Sequence, residues 1–281
     1  MTDIETNKTG TLYICATPIG NLEDITYRAV RILSEADMIY CEDTRRTLKL
    51  LNHLNIKKPL FSYYLHNSAM RDGEIIEKLT RGAKIALVSD AGMPLISDPG
   101  ESIVKEALDR GIYVTVLPGA CAAVSALVLS GFETDRFIFE GFLPKKGPER
   151  KRRIDKIAEY DKTVVIYESP HHLKKTLEDL SGKLSARNIA LVREMTKIHE
   201  EVFRGLLCEA IENAAEPRGE YVIVIEKPQE KRTYTEDDII QSLRLEISNG
   251  ASKKEAVKIV AGRLDVKKSN IYMLAERLDC L

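Results

Sequence analysis

Apolar, β-rich runs recur along the chain, separated by stretches with helical periodicity. The runs are TLYICAT (11–17), MIYC (38–41), KIALV (84–88), IYVTVL (112–117), RFIFEGF (136–142), TVVIYE (163–168), NIALVRE (188–194) and EYVIVIE (220–226). Several are apolar at successive positions, the pattern of strands covered on both faces. Between most of them lie helical patterns such as ESIVKEALDRG (101–111) and HHLKKTLEDLSG (171–182), each expected to stop at its glycine. The alternation predicts an α/β protein with mostly parallel sheet. Eight or more strands at this spacing are too many for one doubly wound sheet, so two sheets are expected, dividing near residues 118–119. The closing runs EVFRG (201–205) and EYVIVIE are expected to be antiparallel.

The pattern changes after Pro228. QEKRTYTEDD (229–238) is polar and reads as a linker that ends in a helix cap. Three short helical patterns follow, at 237–248, 253–264 and 269–278, with NGAS (249–252) ending the first and capping the second. This is a compact helical tail of helix-turn-helix type, suited to binding or to stabilising and dimerising the protein. The expected organisation is an α/β lobe over 1–117, a second over 118–230 and the helical tail over 231–281.

Composition narrows the class. A net charge of −1 argues against a polyanion partner held by overall charge, so any nucleic-acid binding must come from local patches. The five cysteines are scattered and odd in number, which fits reduced thiols in a cytoplasmic protein. Neither they nor the histidines show zinc-ligand spacing, and no metal is expected. There is no signal-peptide pattern and no apolar run near the ~20 residues of a membrane helix, so no membrane association is expected.

The chemistry lies in the turns that follow the strands. TPIGNLEDIT (17–26), EDTRR (42–46), SDAGMPLISDPG (89–100), PGACAAVSAL (118–127) and ESPHH (168–172) are unusually decorated. In open α/β sheets ligands bind beyond the carboxyl ends of the strands, so five such loops point to one cleft. P-loop, dinucleotide, nucleophile-elbow and zincin motifs are absent. What remains suits a cofactor without phosphates. Backbone groups would grip an amino-acid end, Asp90 an ammonium or ribose hydroxyl, and Ala122, Ala123, Ser125 and Ala126 a flat base.

LYICATPIGNLEDITYRAVRILSEADMIYCEDTRRTLKLL (12–51) and SDAGMPLISDPG resemble the signatures of the ribosomal RNA small-subunit methyltransferase I family. That family lies in the tetrapyrrole-methylase-like class of S-adenosylmethionine methyltransferases. FEGFLPKK, YESPHH, LVREMTK, FRG and GEYVIVIE fit the same family in order, and the resemblance covers residues 11–227 and extends to the helical tail. It implies two α/β lobes with S-adenosylmethionine in the cleft between them, a homodimer, and methylation of the ribose 2′-hydroxyl of one cytidine in the decoding region of 16S rRNA, with the small ribosomal subunit as substrate. By the same resemblance Thr17, Pro18, Ile19, Asp90, Ala91, Gly92, Met93, Ile96, Ser97, Ser125, Ala126, Tyr167 and Glu194 are cofactor neighbours.

Methyl transfer from a sulfonium needs alignment and exclusion of water, and a nearby base assists a hydroxyl acceptor. Glu42 and Asp43 are candidates for that base and Arg45 for placing a phosphate, with Glu168 and Lys197 as alternatives. The run Glu42-Asp43-Thr44 equally suits a helix cap. PKKGPERKRR (144–153) carries six cations and one acid beside the expected cleft. Lys145, Lys146, Arg150, Lys151, Arg152 and Arg153 are therefore expected to contact RNA backbone, and Lys253, Lys254, Lys258, Arg263, Lys267 and Lys268 add charge in the tail. A carbon methyltransferase acting on a precorrin shares the cleft but needs neither basic helix nor tail. A nonenzymatic RNA-binding protein has no use for five cleft loops.

Overall fold

A computed structural model describes residues 9–214, 219–228, 234–264 and 266–277. The chain divides into two compact units, Met1–Pro228 and Gln229–Leu281. The first contains two five-stranded sheets. Sheet one is built from β1 (Thr11–Cys15), β2 (Met38–Cys41), β3 (Leu60–Ser62), β4 (Lys84–Val88) and β5 (Tyr113–Leu117), in the order β3-β2-β4-β1-β5. All its pairings are parallel. The crossovers are α1 (Tyr27–Glu35), α2 (Thr44–His53), α3 (Ser68–Thr80) and α4 (Glu101–Asp109). Strands β1, β2 and β4 bury nearly every side chain because helices cover both sheet faces, which explains their unbroken apolar runs.

Sheet two contains β6 (Phe137–Phe142), β7 (Thr163–Glu168), β8 (Asn188–Arg193), β9 (Glu201–Leu206) and β10 (Tyr221–Ile225), in the order β6-β7-β10-β8-β9. Here only β6 and β7 are parallel; β10 runs antiparallel to β7 and β8, and β9 antiparallel to β8. The expectation of mostly parallel sheet thus holds for the first sheet and not for the second. EVFRG and EYVIVIE do not pair with each other: β8 lies between them, and both oppose it. Helices α5 (Ala122–Ser130), α6 (Pro148–Glu159), α7 (Pro170–Leu184) and α8 (Leu207–Asn213) accompany this sheet. Helix α7 runs through Gly182 rather than stopping there, since Leu184, two residues on, is still buried in the core.

Strand register places the site. Cys41 and Cys15 both align with Val88, and Cys15 also aligns with Leu117. The turns after β1, β2, β4 and β5 therefore leave one edge at one level. In sheet two Phe142 aligns with Tyr167, and Tyr221 with both Glu168 and Arg193.

The second unit has its own core. Helices α9 (Glu236–Ser248), α10 (Lys253–Leu264) and α11 (Lys268–Arg277) bury Leu243, Val260, Ile271 and Ala275 together. Thr235 caps α9, accepting from the Asp238 N–H while Asp238 accepts from the Thr235 N–H. Ser252 and Glu255 form the same box at the start of α10. Among the described residues no helix is long and apolar enough to cross a membrane.

Candidate active site

A cavity of about 490 Å³ opens where the two sheet edges meet. Residues 90–93 and 96–98 form one wall, and Phe142, Tyr167, Glu168, Ser169 and residues 220–222 form another. Ile19, Glu42, Arg46, Cys121 and Ala122 complete it. Two smaller recesses adjoin. One, of about 170 Å³, shares Arg46 and Asp90 and adds Thr17, Pro18 and Lys49. The other, of about 320 Å³, shares Ile19 and Cys121 and adds Ser125 and Thr196.

The 89–100 loop owes its shape to backbone that side chains rarely adopt. Gly92 has φ of 79°, and Leu95 and Ser97 have φ of 70° and 69° despite carrying side chains. Gly92 forms a two-hydrogen-bond bridge with Thr17, its N–H donating at 3.0 Å and its carbonyl accepting at 2.9 Å. A Cβ there would sit 3.2 Å from Ile19 Cγ2 in strained backbone. The glycine therefore serves the fold as well as the cavity, and a valine at this position is expected to disturb both. Thr17 is buried and its hydroxyl donates to the Ser89 carbonyl at 3.2 Å, so it clamps the first and third loops together beside the main cavity.

The carboxylates of Glu42, Asp90 and Asp98 act on one another in this cavity. Asp90 accepts from the Asp43 N–H at 2.9 Å and faces the Arg46 guanidinium at 3.4 Å. Burial, then the charges of Glu42 and Asp90, push the Asp98 carboxyl up to about 6. Burial and the neighbouring Asp90 also raise Glu42, against the pull of Arg46. On the opposite wall Tyr167 stacks edge-on to Phe139 at 4.9 Å and accepts from the Ala123 N–H at 3.0 Å. Glu168 is buried, its two oxygens accepting from the Ser169 N–H at 2.8 Å and the Thr176 hydroxyl at 2.6 Å.

Of the residues expected to neighbour a cofactor, Ile19, Asp90, Ala91, Gly92, Met93, Ile96, Ser97 and Tyr167 line the main cavity. Pro18 and Ser125 line the adjoining recesses. Ala126 does not: it is fully buried in the apolar cluster under sheet two, because α5 turns that face inward. Glu194 also lies outside the wall, its carboxylate taking the Lys197 ammonium at 3.0 Å and the Glu220 N–H at 3.1 Å. Among the base candidates Glu42 faces the cavity. Asp43 is occupied as the cap of α2, accepting from the Arg45 N–H at 2.9 Å, and Arg45 folds back onto it while remaining largely exposed. Asp98, Arg46 and Phe142 are cavity residues that the sequence did not single out; the register of β2 against β4 brings the first two together.

The basic stretch also divides. Arg150 is buried, with Nε on Asp179 at 2.8 Å, Nη2 on the Thr176 hydroxyl at 2.9 Å and Nη1 on the Pro144 carbonyl at 3.1 Å. Arg153 ties α6 to the Glu140 carboxylate on β6. Arg150 is thus internal rather than RNA-facing, and Arg153 is half-buried, because periodicity places both on the sheet side of α6. Lys145, Lys146, Lys151 and Arg152 are exposed.

The sequence model of the tetrapyrrole (corrin/porphyrin) methylases matches residues 11–211. The ribosomal RNA small subunit methyltransferase I of Halalkalibacterium halodurans is 46% identical over 270 residues, 94% of this chain and 93% of that one. The protein of that name from Thermotoga maritima is 48% identical over 218 residues, 98% of its length but 77% of this chain. Among solved structures, a diphthine synthase superposes with a TM-score of 0.62 at 15% identity, covering 77% of this chain and 89% of the other. A cobalt precorrin-4 methyltransferase superposes with a TM-score of 0.59 at 16% identity, covering 80% of this chain and 98% of the other. At such identities the structures establish the shared fold.

Proposed function

This chain belongs to the ribosomal RNA small subunit methyltransferase I family of the tetrapyrrole methylases, and from that premise we propose that it methylates the ribose 2′-hydroxyl of a cytidine in the decoding region of 16S rRNA. The methyl donor is S-adenosylmethionine, the substrate is the small ribosomal subunit, and the working form is a cytoplasmic homodimer. Tyr113 and Val116 on edge strand β5, and Val124 and Val128 on α5, are exposed apolar side chains that support self-association.

The cavity suits this donor. Its volume lies within the usual range for small-molecule sites. Glu42, Asp90 and Asp98 supply negative charge for a ligand bearing an ammonium and a sulfonium, and the Tyr167 and Phe142 rings supply faces that attract cations. Ile19, Met93 and Ile96 supply apolar surface for a base or a methylthio chain. When bound, S-adenosylmethionine supplies an electrophilic methyl group on positively charged sulfur. Asp90 is held by the Asp43 N–H and Arg46, and with Asp98 it retains the cationic donor. Glu42 takes the proton of the attacking hydroxyl: its raised pKa makes it a better base than an ordinary carboxylate. Arg46, lining both the cavity and the recess beside it, steadies the acceptor's phosphate.

The convergence of Glu42, Asp90 and Asp98 with the Tyr167 and Phe142 rings in one cavity, in a chain with rRNA-methyltransferase relatives, carries this reading. It is tested by calorimetric titration with S-adenosylmethionine, then by tritium transfer from labelled donor to unmodified small subunits. Labelling of a tetrapyrrole and not of the subunit would replace it with carbon methylation.

A further inference from the structure

The structure points to a second substrate surface, a basic groove between α6 and α7, and we propose that it binds the RNA backbone flanking the nucleotide in the main cavity. This rests on the rRNA-methyltransferase reading above. The groove has a volume of about 430 Å³. Lys146 and Lys151 enter it from the α6 side, and Lys175 and Lys183 from α7. All four are exposed. The two acids in the groove are already engaged: Asp179 with Arg150 at 2.8 Å and Lys175 at 3.6 Å, and Asp155 with Lys183 at 2.9 Å. No ion pair engages Lys146 or Lys151 among the described residues. Five cations, counting Arg150, against two acids leave the groove positive. Lysine ammoniums on flexible stems suit phosphates met as point charges rather than as fixed bidentate partners.

The groove's place beside the cavity points to the ligand. Glu168 in the cavity wall accepts from Thr176, Thr176 accepts from Arg150, and Arg150 donates to Asp179 in the groove. One buried hydrogen-bonded chain therefore joins the two concavities. Helix α7 begins in the cavity wall at Pro170. At about 1.5 Å rise per residue, Lys175 lies about 8 Å further along and Lys183 about 12 Å beyond that. The groove thus leads away from the methyl-transfer site over a length that takes more than one phosphate of an RNA strand. A free anion needs no such length, and a substrate nucleotide at Glu42 has neighbours that must lie somewhere. Sequence periodicity did not reveal this surface, because half of it comes from α7, outside the 144–153 charge run.

The test compares full-length protein with Lys151→Gln/Lys175→Gln and with a control pair, Lys57→Gln/Lys105→Gln, that removes the same charge elsewhere. Filter binding of 16S rRNA at several salt concentrations reads the groove; methylation of small subunits by the unaltered protein reads the function independently. The groove pair is expected to bind RNA about tenfold more weakly near 0.15 M salt, with the log–log salt slope reduced by about 0.7 per lost contact. In methylation it should raise KM for subunits at unchanged kcat, with unchanged cofactor affinity. A salt slope equal to that of the unaltered protein, or an equal change in the control pair, overturns the proposal. Salt-dependent RNA binding through the groove without any methylation would sink the functional reading alone.

Discussion

Replacing Asp98 by asparagine is expected to stabilise the protein at neutral pH and to leave it nearly unchanged in acid. Asp98 has no hydrogen-bond donor among the described residues, and it shares its cavity with Glu42 and Asp90. Burial, then these two charges, lift its carboxyl to about 6. An acid raised in this way keeps its proton longer in the folded state than in the unfolded one. Its contribution is therefore fully present below the unfolded value near pH 4, and stability is lost as pH climbs from there through 6. A lift of about two pH units corresponds to roughly 3 kcal/mol. Asp98 is half-buried, and water screens it, so about 1–2 kcal/mol is the expected penalty above pH 6. Asparagine keeps the shape and never ionises. Urea unfolding of the cofactor-free protein and of Asp98→Asn, from about pH 4.5 to about pH 7.5, checks this: the variant's advantage should grow with pH and level off near 7. An advantage that is absent at the upper end, or constant across the range, would refute the carboxylate-crowding argument.

Three further outcomes follow from the same geometry. Glu42→Gln should lower kcat by about 10²–10⁴ while S-adenosylmethionine affinity changes little, as steady-state kinetics and calorimetry will show. Arg150→Met should cost about 2–4 kcal/mol in urea unfolding, less than a wholly buried pair because Asp179 keeps 32% of its side chain exposed; an effect below 0.5 kcal/mol would contradict its role as an internal tie. A chain ending at Pro228 should fold and bind S-adenosylmethionine normally, since the first unit contains every cavity residue and the second has its own core. Methylation of small subunits by that chain should fall through a higher KM. Failure to fold, or a full rate at unchanged KM, would each count against a docking role for the tail.

Strands β1, β2 and β4 of the first sheet were legible because burial on both faces leaves an unbroken apolar signature, as in KIALV. β3 was not, because LFS is three residues of half-buried edge with too little pattern to read. The mixed direction of the second sheet was hidden for a different reason: β10 inserts between β7 and β8, and that pairing is set by packing across the chain rather than by local sequence. At the site, the Gly- and Pro-rich turn at 89–100 announced itself. The partnership of Glu42 with Asp98 did not, since it depends on Cys41 and Val88 ending level in neighbouring strands. Arg150 shows the opposite error. Its charge run reads as RNA-facing in one dimension, while helix periodicity turns that one guanidinium onto Asp179 and Thr176.

The proposed activity is ribose methylation of small-subunit rRNA by this chain. Its most direct test is nucleotide-resolution mapping of ribose methylation on small subunits from a strain lacking the gene, before and after incubation with the purified protein and S-adenosylmethionine. One new 2′-O-methyl group is expected, on a cytidine in the decoding region, and Glu42→Gln should install it far more slowly. No new ribose methylation, or a methyl group found on a base, would contradict it.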